Sequence, residues 1–234
     1  MNMLYKIKLY LHLLRYRGLK EKSQYSRWGE DSFLVNYFKD TSNGRYIDIG
    51  AFHPFRGSNT YLLYKKGWSG INIDLNKTSI DLFKLARPND INLNLAISDA
   101  NKKIKVYQTK DLGKMNTIDA KFASFFLKNY YVRESCSYNL NDILYKYNIS
   151  KNNRFELIDI DVEGSEYQIL KNLNFNKYSF KLILVETHNG RHTDQLLYLY
   201  FKQESDKIHT LLKSKNYNYL KNFGETAVFE NAEG

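Results

Sequence analysis

The chain has 234 residues, of which 43% are hydrophobic, so it is long enough to bury a full core as one large domain. Its single cysteine, Cys136, excludes an intrachain disulfide and a cysteine-built zinc site, and fits a reducing, cytoplasmic compartment. No stretch approaches 18 consecutive apolar residues, so we expect no membrane-spanning helix. The formal net charge of +10 favours anionic partners such as nucleotide-sugars, acidic glycans, RNA or a membrane surface. The alternative is a solvated, lysine-rich surface that binds no such partner.

Residues 1–22 have the pattern of a basic amphipathic helix that precedes a single domain of residues 23–234. Four apolar residues recur at helical spacing, surrounded by lysines and arginines: Leu4, Ile7, Leu11 and Leu14. Such a stripe can pack on the domain or on a second copy of the chain, and it can also lie on a membrane surface.

Residues 44–76 predict a βαβ unit, because a short apolar strand, a glycine turn, a helix and a second β-branched strand follow one another. Ser58 is a suitable N-cap for the helix and Gly67 a suitable C-cap. Ligands of such sheets bind beyond the carboxyl ends of the strands, so this unit is a candidate cofactor site as well as an ordinary buried turn.

The polar residues of this unit suit an adenosine cofactor that has no phosphate. Asp74 ends the second strand, where a carboxylate can accept hydrogen bonds from both ribose hydroxyls. Neither G-x-G-x-x-G nor a P-loop is present, so the turn offers no phosphate cradle. This favours S-adenosylmethionine (SAM), with Asp48, Gly50 and Ala51 lining its methionine part.

The next segments predict further sheet structure. Asn76 can cap a helix, and the alternating residues 91–98 predict the third strand. Ser98 and Asp99 then fall at its carboxyl end, where we expect them to flank the adenine. Residues 102–108 predict a short strand at an edge or in a hairpin.

Residues 109–139 show no clean period but are rich in lysines and aromatic residues, including Phe125, Phe126, Tyr130, Tyr131 and Tyr138. Aromatic faces can stack on sugars or bases, and cations can bind phosphate. The segment is therefore a candidate substrate cap, the alternative being a loop without a ligand role.

Two later strands carry polar residues at their carboxyl ends. Residues 155–162 predict a buried strand, and three acids fall at period two, on one face if the strand continues: Asp159, Asp161 and Glu163. Residues 180–188 predict the next strand, with two polar residues on one face: Glu186 and His188. Buried carboxylates are costly unless paired or metal-bound, so this cluster indicates function. A closing hairpin is predicted at 217–231, around Gly224.

Several of these segments resemble the FkbM family of SAM-dependent methyltransferases, in the same order: YIDIGAFHPFRGSNTYLLYKKGWSGINID, AISDA, FELIDIDVEGSEYQIL and LILVETH, with SQYSRWGED upstream. The resemblance covers most of residues 23–188. It implies an α/β, class I Rossmann-like methyltransferase fold, with a mostly parallel seven-stranded sheet and helices on both faces. It also implies O-methylation, commonly of sugars or of hydroxyls on natural products. Phe52 departs from the family's common turn, which often has Asn there.

Methylation of a sugar hydroxyl requires alignment with the methyl group and removal of a proton. We predict His188 as the base, because imidazole is most easily tuned to neutral pH. Three carboxylates would orient it, bind sugar hydroxyls or hold a divalent cation such as Mg or Mn: Asp161, Glu163 and Glu186. Gln24 and Tyr25 are predicted to close over the cofactor.

Two other classes of function remain as alternatives, a nucleic-acid methyltransferase and a non-catalytic module that binds SAM or a glycan. Methyltransferases of base amines often carry an N/D-P-P-Y/F loop, and the only prolines here are Pro54 and Pro88. We therefore expect a nucleotide-sugar or glycan acceptor, as in surface polysaccharide biosynthesis, and no nucleic acid.

Overall fold

The computed structural model describes residues 2–17, 23–109, 116–147, 155–187 and 195–233. Its helices are α1 (Met3–Arg17), α2 (Glu30–Tyr37), α3 (Tyr61–Lys65), α4 (Lys77–Ala86), α5 (Ala120–Phe126), α6 (Leu140–Lys146), α7 (Glu166–Asn172) and α8 (Gln195–Ser214). Its strands are β1 (Arg45–Ile49), β2 (Ser69–Asp74), β3 (Ile91–Asn94), β4 (Ala96–Ser98), β5 (Lys102–Gln108), β6 (Tyr131–Asn139), β7 (Leu157–Ile160), β8 (Leu182–Glu186), β9 (Tyr217–Phe223) and β10 (Thr226–Asn231). None of the helices in these ranges combines the length and apolar content that a membrane crossing needs.

The large sheet has seven strands in the order β3-β2-β1-β7-β8-β10-β9. The first five pair in parallel, whereas β10 runs antiparallel to both of its neighbours. The chain moves outward from β1 to β3 and returns to pair β7 with the other side of β1. Ligands of open α/β sheets bind at such a switch point, beyond the carboxyl ends of the strands. The predicted mostly parallel α/β sheet is confirmed.

The core follows from the two-residue period of the strands, which sends alternate side chains to opposite faces. Ile47 and Ile49 of β1 belong to a buried cluster with residues of α6, α7 and α8. Tyr46, which directly precedes Ile47 in the sequence, lies on the opposite face in a cluster with Leu34 of α2 and Leu63 of α3. Helices therefore cover both faces of the sheet.

The N-terminal helix packs by a different face from the one that the predicted stripe forms. Leu9 and Leu13 are buried, in a cluster with Leu82 of α4. The four residues of the stripe are exposed instead: Leu4, Ile7, Leu11 and Leu14. The helix thus has two apolar faces, and spacing alone did not show which one meets the domain.

The prediction of one strand over residues 91–98 is wrong. Residues 91–94 form β3 of the large sheet, and 96–98 form β4 of a second sheet in the order β4-β6-β5. The alternation of side chains continues through Leu95, so the local pattern carries no sign that the chain changes sheets. The predicted hairpin strand over 102–108 is confirmed as β5, which pairs antiparallel with β6.

Of the two predicted N-cap residues, Asn76 caps its helix and Ser58 does not. The side chain of Asn76 accepts from the backbone N–H groups of Thr78 and Ser79, as expected of the cap of α4. Ser58 does not cap α3, which begins three residues later; its hydroxyl instead accepts a hydrogen bond from Arg87, at 2.7 Å. The closing hairpin is present as β9 and β10.

Candidate active site

The turn after β1 holds together the ends of three strands. The backbone N–H groups of Gly50 and Ala51 both donate to the carbonyl of Ile73 in β2, at 2.8 and 3.2 Å. Gly50 has a φ of 87°, and a Cβ there would lie 1.6 Å from the carbonyl oxygen of Asp161, just after β7. Only glycine permits both this backbone conformation and this approach.

A cavity opens beyond this turn, at the carboxyl ends of the strands, with a volume of about 500 Å³ when its open mouth is included. Its walls are mostly apolar, with polar groups at a few points; the lining is Ile49, Gly50, Ile73, Asp74, Leu75, Leu95, Ala96, Ile97, Asn116, Ile118, Asp161, Val162 and Glu163. A largely apolar cavity with a few polar groups is typical of a site for a small molecule or a cofactor.

Asp74 is placed to bind a ribose in this cavity. Its Oδ2 accepts from the backbone N–H of Phe52 at 2.9 Å, and its Oδ1 from that of Asn76 at 2.6 Å. Each carboxylate oxygen keeps a lone pair for a ribose hydroxyl. Burial raises the pKa of Asp74 to about 6, although the two backbone donors oppose this shift. The predicted role of Asp74 therefore fits the geometry of the cavity.

Asp48 and Ala51 are not among the residues that line the cavity. Asp48 is 6% exposed and accepts a hydrogen bond from the hydroxyl of Thr60 at 2.7 Å. Burial raises the pKa of Asp48 to about 6. Ala51 is also 6% exposed. Their contact with the methionine part of the cofactor stays a prediction.

Ser98 and Asp99 also lie outside the lining of this cavity. The Ser98 hydroxyl bonds to that of Ser137 at 2.7 Å, within the small sheet. Asp99 is exposed and forms an ion pair with Lys102 at 2.6 Å, which lowers the pKa of its carboxyl. The structure brings Leu95 and Ile97 to the wall instead, and the adenine contact of Ser98 and Asp99 stays a prediction.

Of the two predicted lid residues, Tyr25 borders a second, larger cleft and Gln24 does not, and their closure over the cofactor stays a prediction. The amide of Gln24 donates to the carbonyl of Ser26 at 3.4 Å. Tyr25 lines the cleft, and its backbone N–H donates to the carboxylate of Asp31 at 2.5 Å. Asp31 is fully buried and also accepts from the Ser26 hydroxyl at 2.6 Å, so it fixes this loop.

The second cleft has a volume of about 1610 Å³, including its open mouth. Aromatic side chains, two arginines and several acids line it, among them Tyr25, Arg27, Trp28, Arg56, Phe122, Phe126, Asp161, Glu163, Glu186 and Glu225. Phe122 and Phe126 belong to α5, within the segment predicted as a substrate cap. Asp161 and Glu163 line both this cleft and the smaller cavity, so the two spaces meet at these carboxylates.

Three predicted catalytic acids converge at this junction: one carboxylate oxygen each of Asp161, Glu163 and Glu186 lie within 4.8 Å of one another. The period of the strand does not bring them together, because β7 ends at Ile160, before Asp161 and Glu163. The chain turns back at Glu163, whose φ is 61°, and Gly164, whose φ is 113°. The carboxylate of Glu166 accepts from the N–H groups of Val162 and Gly164, which fixes this turn.

Burial and neighbouring charges raise the pKa values of carboxyl groups at and beside the junction. Burial, and then the neighbouring charge of Asp161, raise the pKa of Glu186 well above its ordinary value. Asp159, predicted on the same face as Asp161, is not one of the three converging acids, and its carboxylate accepts from the amide of Asn59 at 2.8 Å. Burial, followed by the charge of Asp48, raises the pKa of Asp159 as well. His188, the predicted base, lies outside the described residues.

Arg87 supports the site and was missed by sequence reasoning. It is fully buried, and its guanidinium donates to the hydroxyls of Ser58 and Thr60 at 2.7 and 2.9 Å and to the carbonyl of Pro54. Thr60 in turn donates to Asp48. An arginine at a helix end before a proline is usually solvated, so no local pattern indicates this role.

The strand order, the glycine turn and the cavity with Asp74 at its edge are those of the class I Rossmann-like methyltransferase fold. Residues 48–219 match the family described as Methyltransferase FkbM domain, and the chain belongs to that family. The predicted family is confirmed, and membership in a methyltransferase family supports the predicted cofactor, SAM. No curated protein matches the sequence significantly.

Similar solved structures include a TehB-like SAM-dependent methyltransferase from Corynebacterium glutamicum, with 12% identity, a TM-score of 0.45 and coverage of 97% of this chain and 99% of that one. A putative caffeoyl-CoA O-methyltransferase from Staphylococcus aureus has 12% identity, a TM-score of 0.46 and coverage of 98% and 100%. An O-methyltransferase from Bacillus cereus in complex with SAH has 10% identity, a TM-score of 0.46 and coverage of 98% and 91%. Similarity at this level carries no argument about the acceptor.

Proposed function

We propose that this chain is a SAM-dependent O-methyltransferase that acts on a hydroxyl of a sugar, either nucleotide-linked or within a glycan, as in surface polysaccharide biosynthesis. One observation carries the proposal: Asp161 and Glu163 line both the cavity that suits the cofactor and the larger cleft beside it. A hydroxyl at this junction would be close to both the methyl donor and a proton acceptor.

The cleft has the side chains that bind a sugar. Trp28 and Phe126 present aromatic surface to the cleft, suited to the apolar faces of a sugar ring. The carboxylates at the junction can accept hydrogen bonds from its hydroxyls. Arg56 is exposed at the same cleft and offers a cation for a phosphate or an acidic sugar. Together these groups favour a polar, anionic sugar derivative as acceptor.

Bound SAM supplies an electrophilic methyl group, and the side chains of this chain must orient the alcohol and take its proton. Glu186 is suited to the proton transfer, because its buried carboxylate is a stronger base than an exposed one. His188 follows β8 by two residues and remains our predicted alternative for the base. Glu186→Gln and His188→Ala, assayed separately, distinguish the two.

The three carboxylates could instead hold a divalent cation. Among the described residues, Asp161, Glu163 and Glu186 form the one group with the spacing of a metal site. Carboxylate oxygens suit Mg or Mn, and a bound cation would lower the pKa of a coordinated alcohol. A chelator that abolishes methyl transfer, with recovery on addition of Mg or Mn, would assign this role.

The proposal includes a cytoplasmic location and a small-molecule acceptor rather than a nucleic acid. Cys136 is exposed as a free thiol, which persists best in a reducing compartment.

A methyl-transfer screen with labelled SAM tests the proposal. The panel contains nucleotide-sugars, oligosaccharides and a structured RNA, each with and without chelator. We expect label on a sugar hydroxyl, identified by mass spectrometry of the product. Label on the RNA, or SAM binding by calorimetry without transfer to any acceptor, would favour the nucleic-acid enzyme or the non-catalytic module.

A further inference from the structure

Helix α1 has a second apolar face, opposite the one that packs on the domain. Leu9 and Leu13 are 2% and 7% exposed and pack beside Phe55 and Leu82. Six large side chains elsewhere on the helix are exposed by 45–79%: Met3, Leu4, Ile7, Tyr10, Leu11 and Leu14. A contiguous apolar surface of this kind marks an interaction site rather than ordinary surface.

These six side chains form one stripe. With 3.6 residues per turn, all of them fall within about 60° of Ile7 around the helix axis. Lys6 lies on one margin of the stripe, and Lys8 and Arg15 lie on the other, each about 80–100° from Ile7. Helix α1 contains no Asp or Glu. An apolar stripe flanked on both sides by cations is therefore turned away from the domain.

We propose that α1 lies flat on the surface of a bilayer that contains anionic lipids, with this stripe inserted at the level of the headgroups. Apolar side chains gain from leaving water, and basic residues at the margins can extend their charged ends toward lipid phosphates. This inference goes beyond the proposed function and does not depend on it.

Charge favours a lipid surface over a second copy of the chain. A two-fold dimer formed through this stripe would bring together the same surface from both copies. The basic margins of one α1 would then face those of the other, without an acid on either helix to pair with them. Anionic lipids instead complement both margins at once.

Docking through α1 would place the large cleft close to the membrane. The rings of His12 and Tyr16 in α1 contact the ring of His53, with centroids 5.3 and 5.2 Å apart. The guanidinium of Arg56, which lines the cleft, lies 5.6 Å from the centroid of the Tyr16 ring. The helix is thus in contact with the rim of the cleft, so an acceptor held at the membrane could reach it.

Sedimentation of the full chain with vesicles tests the proposal. We expect binding to vesicles with about one third phosphatidylglycerol in phosphatidylcholine, and much weaker binding to phosphatidylcholine alone. The variant Leu4→Gln/Ile7→Gln/Leu11→Gln/Leu14→Gln should lose binding. Lys6→Gln/Lys8→Gln/Arg15→Gln should weaken it on the order of a hundredfold, because each cation near an anionic surface contributes about fivefold.

A matched control substitutes exposed leucines elsewhere on the surface. Leu199 and Leu220 are 45% and 39% exposed, and Leu199→Gln/Leu220→Gln should bind vesicles like the wild type. Calorimetry with SAM shows that each variant is folded. The proposal is overturned if the wild type ignores anionic vesicles, or if the stripe variant still binds them. It is also overturned if the stripe supports only a dimer, seen by analytical ultracentrifugation without vesicle binding.

Discussion

Gly50 and Asp161 approach each other so closely that a methyl group added at Gly50 would lie 1.6 Å from the carbonyl oxygen of Asp161. The turn that borders the cofactor cavity therefore packs directly against the backbone of the residue whose carboxylate lies at the junction. Any side chain at Gly50 must push apart the ends of β1 and β7.

Gly50→Ala should lower the free energy of unfolding by about 3 kcal/mol or more and weaken SAM binding, because it combines a steric clash with a strained positive φ. Thermal or urea unfolding and calorimetry measure the two effects. Gly57→Ala is the matched control, since Gly57 has a φ of 65° and no atom within 4 Å of an added Cβ. It should cost only about 1 kcal/mol. Equal losses in the two variants would show that the Asp161 contact is unimportant.

Asp74 should make SAM binding depend on pH. Burial raises its pKa to about 6 in the free protein, and the ionised carboxylate is the form that accepts from two ribose hydroxyls. Affinity should therefore fall as pH decreases through about 6, because binding must then displace a proton. Calorimetry between pH 5 and pH 8 measures this slope.

Asp74→Asn should weaken SAM binding about 10- to 100-fold at pH 8, as expected for the loss of a charge-assisted hydrogen bond. It should also flatten the pH dependence. Asp206→Asn, at an exposed position on α8, is the control and should change neither. An unchanged slope in the Asp74 variant would remove this residue from the cofactor site.

Arg87 should be a major source of stability for the site. Arg87→Met removes the donors to Ser58, Thr60 and Pro54 and leaves their oxygens buried, so we expect a loss of about 3–5 kcal/mol. Arg27→Met is the control: this arginine is exposed and pairs with Glu225 at 3.1 Å, a kind of ion pair that contributes at most about 1 kcal/mol. Urea unfolding compares the two, and similar losses would contradict the role of Arg87.

The sequence predicted the parts of the site that depend on local patterns. A strand followed by Gly50, and an acid at the end of the next strand, were enough to place Asp74 at the cavity. Strand pairing then brought Asp161 and Glu186 to neighbouring strand ends, as parallel strands require.

The sequence did not predict the features that depend on tertiary context. The chain leaves the large sheet at Leu95 within an unbroken alternation, and Glu163 reaches the junction through a turn with positive φ rather than along a strand. Arg87 resembles a solvated helix end, yet it is buried. In each case the deciding contact comes from residues distant in sequence, which a local pattern cannot report.

The most direct test of the account measures methyl transfer and SAM affinity together in Glu186→Gln and Asp161→Asn, with Asp206→Asn as the control. With the sugar acceptor that the screen identifies, we expect transfer to fall by at least about a hundredfold in both junction variants, as for loss of a catalytic acid or base. In Glu186→Gln, whose side chain lines the cleft and not the cofactor cavity, the Kd for SAM should stay within about twofold of the wild type, because Asp74 binds the ribose independently. Near-normal transfer by both junction variants would contradict the claim that the hydroxyl is activated where the cavity and the cleft meet.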